Sequence, residues 1–209
     1  MSRKFLIFFI GVLTHYNSAA QSKMVFENYN YLGQPGSGSI VPMLHFETSR
    51  NWYAELRYNY EDVKTVSFFA GKTFTLGKEK QYEITPLAGL SAGNFNGVSA
   101  GLNFDGDINP FFFSAQSQYS KATRTDNESF FFNWSELGYN FSDRFFGGLA
   151  VQLTMQKELN DVQPGLFAGI SFRNISLPVY IFSPFSSGKY FILGIYYEYN
   201  LKRKSQPAR

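Results

Sequence analysis

Residues 52–61 read Trp52-Tyr53-Ala54-Glu55-Leu56-Arg57-Tyr58-Asn59-Tyr60-Glu61, and two chemistries alternate along them. The even positions are Trp52, Ala54, Leu56, Tyr58 and Tyr60; the odd ones are Tyr53, Glu55, Arg57, Asn59 and Glu61. A period of two puts successive side chains on opposite faces of a β-strand, here one apolar and one able to meet water. The alternation returns as Val66, Phe68, Ala70, Phe74, Leu76 against Thr65, Ser67, Gly71, Thr73, Thr75, and as Val98, Ala100, Leu102, Phe104 against Gly97, Ser99, Gly101, Asn103. Leu149, Val151, Leu153, Met155 repeat it, as do Phe191, Leu193, Ile195, Tyr197, Tyr199, Leu201. Turn signals between residues 25 and 201 divide the chain into about twelve strands, near 25–32, 39–47, 51–61, 64–76, 80–93, 95–105, 108–120, 129–141, 144–156, 163–173, 174–183 and 188–201. The count falls to about ten if the first or the eleventh is not a strand.

Alternation does not say which face is inside, because a soluble barrel also alternates. The composition of the polar face decides. A face meeting bulk water would be rich in Lys, Glu and Arg, whereas this one is mostly Gly, Ser, Thr, Ala, Asn and Gln, residues suited to a crowded lumen. Charged residues are 17% of the chain and aromatics 19%, against roughly 25% charged in an ordinary soluble domain. The sequence therefore predicts an all-β fold, a closed antiparallel transmembrane β-barrel whose apolar face meets lipid. With the N-terminus in the periplasm, the turns at 48–51, 77–80, 105–107, 142–144 and 173–174 are the short periplasmic set, and most longer connections fall at the outer end. Aromatics near strand ends, among them Tyr29, Tyr31, Trp52, Tyr58, Phe111, Phe130, Phe132, Trp134 and Tyr197, read as girdles at the two membrane interfaces. A soluble secreted lipid-binding β-barrel is the competing architecture.

The chain starts with Arg3 and Lys4, an apolar run from Phe5 to Leu13, and Ser18-Ala19-Ala20. That is the make-up of a secretory signal peptide over residues 1–20, with the barrel over 21–201 and a basic periplasmic tail over 202–209. Cleavage after Ala20 removes two of the 19 basic residues and none of the 16 acidic ones, so the mature chain is near +1. Nucleic acid is not an expected partner. The absence of cysteine excludes a disulfide framework and thiolate metal sites.

In this pattern the chain resembles the small outer-membrane β-barrel proteins of Gram-negative bacteria, and the last strand, with alternating Tyr197, Tyr199 and Leu201, looks like the signal such barrels present to their assembly machinery. It departs from the usual form in ending at Arg209 rather than at an aromatic residue. The resemblance implies the cell outer membrane as the location, with membrane lipid and the assembly machinery as partners.

Three features fit the pattern poorly. Lys72 falls on the lipid-facing register near a strand end, where snorkelling relieves its charge. The apolar register shifts from Phe130, Phe132, Trp134 to Leu137, Tyr139, Phe141, which predicts a bulge near Ser135-Glu136. Pro42, Pro86 and Pro178 sit inside predicted strands and each removes a ladder donor.

The lumen-lining candidates are Glu55, Arg57, Asn59, Glu61, Glu83, Gln116, Gln118, Gln152, Arg173 and Glu198. Inside a narrow barrel such charges must pair or stay hydrated, so they make either an ion-paired plug or a hydrated path for small solutes. Phe69, Phe112, Phe146, Phe167 and Tyr53 on the inward register point to a plugged or very narrow lumen. His45, the one histidine left after cleavage, shares a face with Glu47, and Ser49 follows, so a lipid-acting enzyme using His45 is the catalytic alternative. The bland reading is a hydrogen-bonded lumen histidine. Gly33 to Gly38 lacks the Lys and helix of a phosphate loop, Asp105-Gly106-Asp107 reads as a tight turn rather than a calcium site, and Asn127-Glu128-Ser129 only matches a glycosylation pattern. No metal site and no cofactor are expected. The functional expectation is a non-enzymatic barrel, either a narrow channel or a structural or partner-binding protein presenting loops 33–38, 120–128 and 156–163.

Overall fold

In a hydrocarbon surround an unpaired backbone amide has no partner, so a spanning sheet must close on itself. The computed structural model, which describes residues 22–33, 39–77 and 81–201, shows such a closure. Its strands are β1 (Lys23–Leu32), β2 (Ile40–Glu47), β3 (Trp52–Tyr58), β4 (Val66–Lys72, resuming as Phe74–Leu76 after a break at Thr73), β5 (Tyr82–Ala92) and β6 (Gly97–Ile108). They continue as β7 (Phe111–Ala122), β8 (Phe130–Asn140), β9 (Phe145–Met155), β10 (Asn160–Phe172), β11 (Ile175–Phe182) and β12 (Tyr190–Asn200). Each pairs antiparallel with the next, and β1 pairs with β12 from Lys23↔Asn200 to Leu32↔Phe191. The first and eleventh segments are both strands, which settles the count at twelve. The segments 1–20 and 202–209 and most of loop 33–38 lie outside the described residues.

Turn lengths are unequal at the two ends. One end carries 48–51, 77–81, 109–110, 141–144 and 173–174; the other carries 33–39, 59–65, 93–96, 123–129, 156–159 and 183–189. These are the short-turn and long-turn ends of the barrel. The outward face is apolar: Phe26, Leu56, Phe68, Leu90, Leu149 and Ile195 all point away from the barrel and are exposed. Buried positions on the inward face include Glu55, Arg57, Thr65, Ser67, Gln118 and Ser120. This inverts the distribution of a soluble protein and suits an apolar surround. Lys72 is outward, as expected, with its Nζ 5.2 Å from the centre of the Trp52 ring.

Several expectations need correction. Asp105-Gly106-Asp107 is not a turn: β6 runs through it to Ile108, paired as Asp105↔Ser114 and Asp107↔Phe112, and the chain reverses at Asn109-Pro110, a cis peptide bond. An Asp-Gly pair permits a turn without requiring one, and here the ladder with β7 wins. There is no bulge at Ser135-Glu136, because β8 keeps an unbroken register with both neighbours. The aromatic run Phe130, Phe132, Trp134 instead points into the barrel, and Tyr29, Tyr31 and Tyr60 join it there rather than in a girdle. On the opposite face of β8, Asn133 Nδ2 donates to Ser117 Oγ at 2.9 Å and Ser135 Oγ donates to Asn133 Oδ1 at 2.9 Å, so these outward polar groups satisfy one another. Strand β10 begins at Asn160, which moves Gln163 from the expected loop into the wall. The prolines lie within strands. At Pro178 the ladder to β12 is interrupted, and Gly194 opposite leaves room for the ring.

Inward rings are seated over glycines on the neighbouring strand. Phe69 pairs with Gly89 and Phe112 with Gly138, and a Cβ added at Gly89 would stand 2.4 Å from Phe69 Cδ1. Substitution Gly89→Leu is expected to dislodge the Phe69 ring and lower barrel stability by about 1–3 kcal/mol, measured as the urea midpoint of the heat-modifiable band in detergent.

Candidate functional site

The inward face of the long-turn half is packed. Arg57 and Glu55 are only 1% and 2% exposed, and their strand spacing of two residues puts both on the same face of β3. Arg57 Nε donates to Glu55 Oε1 at 2.7 Å and its Nη2 to Glu55 Oε2 at 3.2 Å, a two-point grip on one carboxylate. Its Nη1 reaches Gln118 Oε1 at 2.8 Å and Glu61 Oε1 at 3.3 Å. The guanidinium lies 4.2 Å from the Phe69 ring centre and 4.5 Å from that of Tyr60. Hydroxyls complete this layer: Gln118 Nε2 donates to Ser120 Oγ at 2.7 Å, Ser120 and Ser99 share a bond of 2.9 Å, and Ser67 bonds Glu61 and Ser91. Facing it across the barrel is an aromatic cluster of Trp134, Phe167, Tyr180, Phe182 and Tyr190 with Ile192. Tyr60 meets Phe132 edge to face at 5.7 Å, joining the two sides.

Below this layer the lumen opens into a cavity of about 710 Å³ whose lining extends from Met43 and Tyr60 to Lys23, Glu47 and Asp107 at the short-turn end. Its charge is predominantly negative. Glu47, Glu27 and Glu55 each face a basic side chain: Lys23 Nζ lies 3.2 Å from Glu47, His45 Nε2 lies 2.9 Å from Glu27, and Arg57 holds Glu55. Glu83, Asp105, Asp107 and Glu136 also line the cavity and have no ion-pair partner among the described residues. Glu83 and Asp105 stand directly opposite each other on β5 and β6, a like-charge pairing that costs stability unless water or a counter-charge lies beside it. No group of three His, Cys, Asp or Glu among the described residues is arranged to hold a metal ion.

His45 is inside the barrel but not beside a nucleophile. The Tyr53 hydroxyl donates to Glu55 Oε2 at 2.7 Å, and the two ring nitrogens of His45 lie 2.8 Å from that hydroxyl (Nδ1) and 2.9 Å from Glu27 Oε1 (Nε2). Both nitrogens are thus engaged within the wall, and neither is turned to a serine. Glu47 is engaged by Lys23, and Ser49 sits in the 48–51 turn with its backbone N–H on Ser22 Oγ at 3.0 Å. The His, Glu and Ser group is therefore not assembled. The histidine belongs to a hydrogen-bonded chain from Tyr29 through Glu27, His45, Tyr53 and Glu55 to Arg57.

The structure gathers Glu55, Arg57, Glu61 and Gln118 in one network, with Gln116 next to it accepting from Tyr60. Gln152 accepts from Tyr190 at 2.9 Å within the aromatic side. Glu83 lies on the cavity wall, and Glu198 accepts from Tyr196 at 3.2 Å near the short-turn rim. Two candidates are misplaced as lumen residues. Asn59 has φ +59° just beyond β3, donates to the Ile40 carbonyl and accepts from Lys64 N–H, so it caps the loop 59–65. Arg173, with φ +55°, forms the 173–174 turn and is exposed, its guanidinium 5.2 Å from the Phe172 ring. In both cases the strand ends before the alternation would carry the residue inward. The residues missed are Lys23, Glu27, Asp105, Asp107 and Glu136; continuing the period of two through 105–107 and 134–136 would have placed the last three inside.

No family model and no curated protein matches the chain. Solved structures do. It is similar to the KdgM porin in complex with disordered oligogalacturonate (TM-score 0.58, 11% identity, covering 85% of this chain and 99% of that one). It is also similar to the NanC porin (TM-score 0.60, 10% identity, covering 85% and 100%). At these identities the likeness is one of fold: an all-β, closed, antiparallel twelve-strand barrel.

The paired charges give a stability test. Arg57→Ala leaves Glu55 buried without its cation and is expected to destabilise the barrel by about 3–5 kcal/mol. Glu55→Gln with Arg57→Gln, which removes both charges, is expected to cost clearly less in the same urea titration of the detergent-folded protein.

Proposed function

We propose that this protein is a narrow, cation-favouring channel of the bacterial outer membrane, with a wide vestibule at the short-turn end and a gate at the Arg57 layer. The observation that carries this reading is the set of unpaired carboxylates on the cavity wall, Glu83, Asp105, Asp107 and Glu136. An isolated ionised carboxylate in a dry, low-dielectric interior is prohibitively costly, and Asp105 and Asp107 are exposed at the short-turn end, so water reaches the acidic wall from that end. Water with fixed negative charge around it concentrates cations and repels anions. The apolar exterior, the signal-like residues 1–20 and the porin fold support an outer-membrane setting, reached through the assembly machinery and surrounded by lipid. The short-turn end then faces the periplasm.

The acidic wall argues against an acidic saccharide such as the oligogalacturonate bound by the KdgM porin as the solute; small cationic or uncharged solutes fit it. The gate is the ion-paired cross-section at Arg57, held by Glu55, Glu61 and Gln118 at the long-turn margin of the cavity. That packing also favours a second reading, a sealed barrel with a structural or partner-binding role.

The deciding measurement is the conductance of the refolded mature protein in a planar bilayer. Small discrete steps with a cation-selective reversal potential are expected, and the Glu55→Gln, Arg57→Gln protein should conduct more because its gate has lost the ion pair. Electrical silence from both proteins, each verified as folded and heat-modifiable, would overturn the channel and leave the sealed barrel.

A further inference from the structure

We propose that the vestibule contains a binding site for a small organic ammonium carrying an oxygen substituent, formed by the Glu136 carboxylate and the rings of Tyr29, Trp134 and Tyr180. This rests on the vestibule being hydrated, as argued above, but not on its conducting. The three rings are mutual neighbours: Tyr29 and Trp134 have centroids 5.3 Å apart, Trp134 and Tyr180 5.3 Å apart at 81°, and Tyr29 and Tyr180 6.4 Å apart at 64°. Glu136 is two residues beyond Trp134 on the same inward face of β8, and all four side chains line the cavity. The rings are inclined to one another by 44° to 81° beside a carboxylate, and an ammonium is attracted by the ring faces turned to the cavity and by the acid's charge.

A second feature points the same way. Trp134 is only 7% exposed, yet its indole N–H has no hydrogen-bond partner. The indole N–H and the Tyr180 hydroxyl both interact with Glu136, but the indole does not reach hydrogen-bond geometry with it or with any other group. A buried donor left unused costs free energy, and a ligand oxygen would relieve it. The Asn103 Oδ1 atom, also on the cavity wall, is likewise buried and unpartnered and would take a ligand donor. An inorganic cation has no use for an N–H donor, and an anion would meet Glu27, Asp105 and Glu136 together. An organic cation with a hydroxyl or carbonyl satisfies the acid, the rings and the donor at once.

The chain has two tryptophans, and Trp52 is on the outer surface, so Trp52→Phe makes Trp134 the sole reporter without touching the site. Fluorescence of this folded barrel in detergent is titrated with choline and with 3,3-dimethyl-1-butanol, its uncharged isostere. Choline is expected to give a saturable change and the alcohol a response at least about tenfold weaker. Glu136→Gln should weaken choline binding about tenfold while keeping the heat-modifiable band; Glu83→Gln, on the wall away from the rings, should leave it within about twofold. If Glu136→Gln does not fold, Tyr180→Leu takes its place with the same expected loss. No saturable change with choline, equal response to the alcohol, or equal losses from Glu83→Gln and Glu136→Gln would each overturn the site. Binding by a barrel that never conducts would retain the site and remove the channel; conduction without choline binding would do the reverse.

Discussion

Closure of the sheet through β1 and β12 is the constraint on which the other features depend. Once Lys23 to Leu32 are paired on one side with β2 and on the other with β12, the sheet has no edge strand left to satisfy. The outside is then free to be apolar, and Leu56, Phe68, Leu90 and Leu149 occupy it without needing a partner element. The inside inherits every polar residue of the alternation, in a cross-section too small to leave them all in water. Twelve strands lie between a barrel that side chains fill and one that stays an aqueous pore, and here side chains fill the long-turn half while a cavity of about 710 Å³ remains in the other.

The two walls of the filled half use different chemistry. On the Arg57 side, charge is matched by charge within hydrogen-bond distance, and small hydroxyls from Ser67, Ser91, Ser99 and Ser120 take up the remaining polar groups. On the opposite wall, rings are packed against rings, with glycines such as Gly138 making room for them. Toward the short-turn end the matching is incomplete: Lys23 and His45 engage Glu47 and Glu27, while Glu83, Asp105, Asp107 and Glu136 have no ion-pair partner among the described residues.

Much of this was legible from residues 52–61 outward, because a strand's period of two is rigid and the side-chain identities on its faces were unambiguous. Glu55, Arg57 and Gln118 could be placed inside on that basis, although their convergence on one guanidinium depends on strand stagger, which a sequence does not display. Local signals mislead where they compete with the period: Asp105-Gly106-Asp107 carries a turn signature and the aromatic run at 130–134 reads as lipid-facing surface, yet Asp105, Asp107, Trp134 and Glu136 line one cavity. The opposite error occurred at Asn59 and Arg173, where alternation was extended past the point at which positive φ turns the chain away.

The position of Glu55 and Arg57 on one strand bears on how such a charge would enter the bilayer of the proposed setting. Their contact spans two residues, so it requires neither a neighbouring strand nor a closed barrel. A guanidinium that had to wait for a distant carboxylate would cross hydrocarbon as a bare cation during insertion, whereas this one can travel with its counter-charge already attached. The costliest residue of the interior thus brings its compensation along the chain, and the order in which the later strands arrive places no electrostatic demand on it.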